Sequence, residues 1–114
     1  MGKMTNSPSS RDVFFGISDL TRRSILTLLV GRELPIVAIS RHFSLSRTAI
    51  NKHLKILYES NLVLKRKEGR ETLYRLNARR LVDLKDWLGY FDVYWDHRLT
   101  KLKQLTESGD VQHK

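Results

Sequence analysis

One stretch of this chain constrains the rest. Between Pro35 and Ser60 two amphipathic segments follow each other across the short connection Ser44-Leu45-Ser46. In the first, PIVAISRHF, Pro35 suits the first turn of a helix, and Ile36, Ile39 and Phe43 recur at helical spacing as core positions. In the second, about Arg47 to Ser60, Ile50, Leu54 and Leu57 form one apolar stripe with Ala49 and Ile56 beside it. That stripe leaves Arg47, Thr48, Asn51, Lys52 and Lys55 on the opposite face, and Ser46 is placed to cap the helix. Two helices joined by a tight turn, the second basic and rich in hydrogen-bonding groups outside, predict a helix-turn-helix.

The flanking segments extend this unit. Leu62 to Arg66 and Glu71 to Leu76 have strand character, and Gly69 supplies the positive φ that a hairpin turn needs. The tip KRKEGR carries Lys65, Arg66, Lys67 and Arg70, too polar for a core and suited to a phosphate backbone. Upstream, Val13, Phe14 and Ile17 predict a helix over Arg11 to Ser18, and Asp19 should cap a second one that runs to about Val30 and stops at Gly31. Its apolar stripe is read as Leu20, Ile25, Leu28 and Leu29, with Arg22 and Arg23 facing outward. Downstream, Asn77 is expected to cap one continuous helix from about Ala78 to Thr106, roughly 43 Å long at helical rise. There Leu81, Leu84, Leu88, Phe91, Trp95, Arg98, Leu102 and Leu105 alternate at spacings of three and four, a heptad seam with one exception at Arg98. A seam of that length asks for a second helix, and a homodimer is its simplest partner. The expected fold is therefore mainly α with a small β-hairpin: a winged helix-turn-helix, dimeric through the seam of its last helix. Residues 11–106 should form one DNA-binding and dimerisation domain, with residues 1–10 and 107–114 as disordered tails.

Charge narrows the partner. The net charge of +9 in 114 residues is unevenly distributed. Residues 1–40 hold five Lys/Arg against three acids, residues 41–80 eleven against three, and residues 81–114 five against six. A basic excess confined to the helix-turn-helix and wing implies a face directed at a polyanion, here double-stranded DNA. Zero cysteines exclude disulfides, thiol catalysis and thiolate metal sites. No nucleophile stands beside a base in a recognisable motif, and no glycine loop could cradle a phosphate, so an enzyme is not expected. No apolar run approaches a membrane span and the start MGKMTNSPSS has no signal-peptide core, which together suggest a cytoplasmic protein.

The segments VFFGISDLTRRSILTLL, LSRTAINKHLKILYESNLV and KEGRETLYRL resemble the ArsR/SmtB-type winged-helix repressors, in the family's order and spacing, over about Val13 to Leu105. The match is best to the autorepressor-like subgroup that lacks metal-binding cysteines. The resemblance implies a dimeric bacterial transcription factor, dimeric through its first and last helices, with its recognition helix in the major groove. Two departures stand out: Leu20 occupies a position where the family commonly has proline, and RELPIVAIS replaces the cysteine-containing box of the metal sensors. Asp92, Asp96 and His97 are a thin remainder of the family's other metal site, read here as solvated charges near Arg98 and Lys101, so no metal or other cofactor is expected. His53 is read as a packing and hydrogen-bonding residue.

By side-chain chemistry, Arg47, Thr48 and Asn51 are the candidates for reading base edges: Arg pairs with guanine, Asn with adenine, and Thr offers a hydroxyl and a methyl. Ser46, Lys52, Lys55, Lys65, Lys67 and Arg70 are the candidates for phosphates. Phe14, Leu84, Leu88, Phe91, Trp95 and Leu102 are the candidates for the dimer seam. The resulting expectation is a homodimeric repressor on a palindromic operator, regulated by its own concentration or by an organic ligand or protein partner. The competing expectation is a sequence-indifferent nucleic-acid binder, or a protein-interaction module, on the same fold.

Overall fold

The structure is a computed structural model and describes residues 12–95 and 100–105. The expected tails lie outside those residues. Its contacts divide the chain into two compact units, the first ending at Asp83 and the second beginning at Leu84.

In the first unit, α1 (Val13–Gly16) is a single turn, shorter than the apolar spacing predicts. Asp12 caps it, its carboxylate accepting from the Phe14 N–H at 3.3 Å. The turn ends where the Ser18 hydroxyl donates to the Phe15 carbonyl at 2.7 Å. Asp19 caps α2 (Leu20–Leu28) as expected, its side chain accepting from the Arg22 N–H at 3.0 Å. The stripe of α2 keeps Ile25 and Leu29 buried as predicted and Leu28 half-buried, but gains Leu26 and loses Leu20. Leu20 is 70% exposed, whereas Ile25, Leu26 and Leu29 are buried and so is Arg22. Leu20 stands at the first position of the helix, before the turn that meets the core. Gly31, at φ 73°, closes the connection.

The sheet has three strands where the sequence predicts two. β1 (Glu33–Pro35), β2 (Val63–Glu68) and β3 (Glu71–Leu76) lie in the antiparallel order β1-β3-β2. A strand of three residues is too short to show a period, and its last residue is the proline that also caps α3 (Ile36–Ser40). Only an edge position tolerates that proline. Pairing of Leu34 with Tyr74 and of Lys65 with Tyr74 puts these three residues on one face of the sheet. Gly69 (φ 63°) takes the positive-φ position of the two-residue hairpin turn.

α3 is shorter than expected, and the connection to α4 (Arg47–Glu59) spans residues 41–46 rather than the three serine-flanked residues alone. Ile39 is fully buried, but Ile36 and Phe43 are only half-buried. Ser46 caps α4 through the Ala49 N–H at 3.1 Å. At the other end Asn61 takes a left-handed conformation (φ 62°), its N–H donating to Tyr58 and that of Leu62 to Leu57. This paired closure stops the helix where a glycine more often stands. Ile50, Leu54, Leu57, Leu62 and Val63 join Val13, Ile25, Leu29 and Ile39 in one core beneath α4.

The predicted single long helix is replaced by segments. Ala78–Leu81 is a 3₁₀ turn, and Asn77 makes no capping bond there; its side-chain N–H donates to the Asn61 carbonyl at 2.8 Å instead. α5 (Val82–Gly89) follows, and helix resumes over residues 92–95 and 100–105. At the interruption the Tyr90 and Phe91 N–H groups donate to Trp87 and Leu88, one residue short of the α-helical register. Gly89, a weak helix former, ends α5. Arg98 lies outside the described residues.

Candidate nucleic-acid interface

The outward face of α4 carries what the sequence assigns to it. Arg47, Thr48, Asn51, Lys52 and Lys55 are all exposed, as are Ser46, Lys65, Lys67 and Arg70. The structure also brings helix and wing to one side. Arg47 and Asn51 of α4 line a cleft of about 440 Å³ with Arg70 and Thr72 of the hairpin. A second cleft, of about 630 Å³, lies further along α4 and is bounded by Asn51, Lys55, Tyr58, Lys65 and Tyr74. Asn51 borders both, so the recognition helix and the wing form the two walls of one channel.

The wing's cations differ in their surroundings. Arg66 is held by Glu33 of β1 through two bonds of 2.9 Å and by Glu68 of its own strand. Those carboxylates raise the Arg66 pKa, and the Arg66 guanidinium holds the Glu33 carboxyl below its ordinary value. Arg66 is thus a brace between β1 and the hairpin. Its neighbours in the strand, Lys65 and Lys67, point to the opposite face, that of Tyr74. The Lys65 ammonium lies 4.2 Å from the centre of the Tyr58 ring. Tyr58, 42% exposed, was not legible as a site residue, because at the end of the stripe an aromatic side chain reads as core.

Behind the recognition helix stands a polar cluster that the sequence reading placed outside. Arg22 is 6% exposed. Its Nε–H donates to the Gly16 carbonyl at 2.9 Å and its Nη2 group to the Phe15 carbonyl at 3.1 Å. Its Nη1 group meets His53 Nδ1 of α4 at 3.3 Å. The guanidinium also lies over the Phe15 ring at 5.3 Å. The outward reading of Arg22 fails because α1 ends in carbonyls that the Arg22 guanidinium turns inward to meet. Arg23 is exposed as expected, although it donates to the Ile17 carbonyl at 2.6 Å. His53, half-buried beside this cluster and 3.9 Å from Asp19, packs and hydrogen-bonds as read from the sequence.

In the second unit Trp87, Leu88, Phe91, Tyr94, Trp95, Leu102 and Leu105 are exposed. Trp87 and Phe91 meet edge to face at 5.1 Å, and Tyr94 and Trp95 at 5.3 Å. Leu84 is half-buried. Asp92 is exposed, and Asp96 and His97 lie outside the described residues. Among the described residues no helix is long and apolar enough to cross a membrane.

A recognition helix with a polar, basic outer face, flanked on that face by a basic hairpin, defines a winged helix-turn-helix DNA-binding protein. The family model described as bacterial regulatory protein, arsR family, matches residues 19–65. The transcriptional repressor SdpR of Bacillus subtilis is 38% identical over 77 residues, which cover 68% of this chain and 86% of that protein. The chain belongs to the arsR family of bacterial regulatory proteins, and it is a DNA-binding transcriptional regulator rather than an enzyme. Solved structures agree. An ArsR-like transcriptional regulator from Rhodococcus sp. RHA1 is 38% identical with a TM-score of 0.67, covering 84% of this chain and 88% of that one. A homodimeric winged helix-turn-helix DNA-binding domain from Mycobacterium bovis shares the fold at 24% identity and a TM-score of 0.57, covering 90% of this chain and 81% of that one.

Proposed function

We propose that the chain is a homodimeric repressor that occupies a palindromic operator, each α4 reading one half-site and each wing gripping the neighbouring backbone. The observation that carries this is the shared channel: Arg47, Asn51 and Lys55 of the exposed face of α4 line it together with the exposed wing cations Lys65 and Arg70. Arg47, Thr48 and Asn51 read bases in this scheme, and Ser46, Lys52 and Lys55 join the wing cations on phosphates. Ser46 contributes while its hydroxyl oxygen still caps α4.

The dimer reading rests on the exposed apolar side chains of the second unit. Leu88, Phe91 and Trp95, with Leu102 further along, expose large apolar side chains together, as a protein-interaction surface does. Phe14, 37% exposed on α1, and Leu84 complete the proposed seam. The homodimer described for the Mycobacterium bovis domain is in keeping with a fold that assembles in pairs. A cytoplasmic location follows from the same role. The chain holds no cysteine, so sensing through thiolates, whether by metal or by oxidant, is absent from this proposal.

The test is selection of genomic fragments on the purified protein, followed by competition of the selected duplex against random duplex of equal length. A repressor should prefer its site by about 10³-fold or more. Equal affinity for both duplexes would favour the sequence-indifferent binder, and no affinity for either would favour a protein-interaction module. Titration with Zn²⁺ or peroxide should leave operator affinity within about tenfold, less than about 1.4 kcal/mol of coupling.

A further inference from the structure

We propose that the cleft between α4 and the hairpin is a binding site for a small aromatic carboxylate, and that filling it displaces DNA. Its volume of about 630 Å³ falls within the roughly 300–1,000 Å³ of small-molecule sites. The lining divides into two chemistries. The exposed ring of Tyr58, backed by the buried Leu54 and Tyr74, is the apolar surface, whereas Lys55 and Lys65 bring two ammonium groups. Glu59 lies on the same cleft, which leaves two cations against one acid.

Among the described residues neither Lys55 nor Lys65 has a carboxylate partner. Lys65 is instead held against the Tyr58 ring at 4.2 Å, so its charge is fixed in the cleft without being neutralised. The Tyr74 phenol, protonated at neutral pH like any tyrosine and pushed further up by burial, is a hydrogen-bond donor there. An inorganic anion would satisfy the ammonium groups but leave the apolar surface bare. A neutral aromatic would cover that surface but leave the charges unmatched. A planar ring bearing one carboxylate does both, with the ring against Tyr58 and the carboxylate toward the lysines.

Displacement rests on the DNA interface proposed above, because Asn51, Lys55 and Lys65 would serve both occupants and one volume cannot hold two. The ligand therefore acts by direct exclusion and needs no change of fold. The test is an amide-resolved NMR titration of the free, full-length protein with indole-3-acetate and with benzoate, alongside acetate and indole as half-ligands. Saturable shifts centred on Asn51, Lys55, Tyr58, Lys65 and Tyr74 are expected with the two aromatic carboxylates and not with the half-ligands. Tyr58→Ala should weaken binding at least fivefold while Tyr58→Phe, which keeps the ring, should not. No saturable shift at the cleft, or equal shifts with acetate, would overturn the site. At nine times its Kd the bound probe should lower affinity for the selected duplex about tenfold, as simple competition requires. Saturation of the cleft with DNA affinity unchanged would instead uphold the site, overturn displacement and remove Lys55 and Lys65 from the DNA interface.

Discussion

Arg22 shows how much one side chain can organise. Its buried guanidinium satisfies the carbonyl oxygens of Phe15 and Gly16 while touching His53 of the recognition helix. Removing it strands the Gly16 carbonyl in a buried place, so Arg22→Met should cost about 2–4 kcal/mol in urea unfolding although its volume is roughly kept. An unchanged midpoint would show that water replaces the guanidinium freely. At the interface the outward residues should separate by role. Arg47→Ala or Asn51→Ala should cost about 1–3 kcal/mol on the selected duplex and little on random DNA. Lys67→Ala with Arg70→Ala should weaken both alike and flatten log K against log salt by about one unit per lost phosphate contact. Equal losses on both duplexes for the Arg47 variant would take that residue out of base readout.

Elements of this chain are short, and their ends carry much of their stability. Asp19 caps α2, and the Arg22 backbone N–H it accepts is the main reason its carboxyl lies below the ordinary value of 3.8. A carboxyl lowered in the folded state stabilises above its unfolded pKa, and that contribution is lost as pH falls through the folded one. Asp19→Asn keeps an acceptor at the cap but cannot titrate. In thermal melts the parent protein's advantage over this variant should therefore be constant above about pH 5 and shrink progressively as acid carries the pH down through the lowered folded-state pKa. A gap independent of pH would exclude this origin. α1 is held closely for a different reason. A Cβ on Gly16 would collide with Leu62 Cδ1 and lie 2.9 Å from the Ser60 hydroxyl, both groups in the closed C-terminal turn of α4. Gly16→Ala should destabilise by about 1–3 kcal/mol, measured by denaturant titration, because Leu62 is fully buried and has nowhere to move.

For the molecule as a whole, the exposed aromatic groups of the second unit set the expected assembly. Replacing Phe91 and Trp95 together by Ser should give a monomer in sedimentation velocity, since the proposed seam loses its largest apolar anchors. Operator affinity should fall steeply with it, because two half-sites are then no longer held through one linked body. A persisting dimer would place the seam elsewhere. The interruption after Gly89 matters at this scale, because a reset of helical phase between Leu88 and Phe91 breaks a straight heptad register. The apolar positions are those of the sequence pattern, but they cannot lie along one unbroken helix.

Local rules were enough for much of this protein. The spacing of Ile50, Leu54 and Leu57 assigns the recognition helix and its outward residues, Asp19 and Ser46 mark two helix starts, and Gly69 marks the hairpin, because each depends only on near neighbours. Three-residue β1 escaped that reading: it exists only because β3 offers an edge, and no periodicity can develop over so short a run. Arg22 escaped it as well, since an arginine on an amphipathic helix reads as solvated until α1 presents its carbonyls. The cleft formed by Tyr58, Lys65 and Tyr74 joins side chains from three elements, and its walls come together only through long-range packing of the hairpin beside α4. A linear sequence determines what each segment does with its neighbours, whereas which polar groups are buried, and which cations stay exposed to act, is decided by elements distant in the chain.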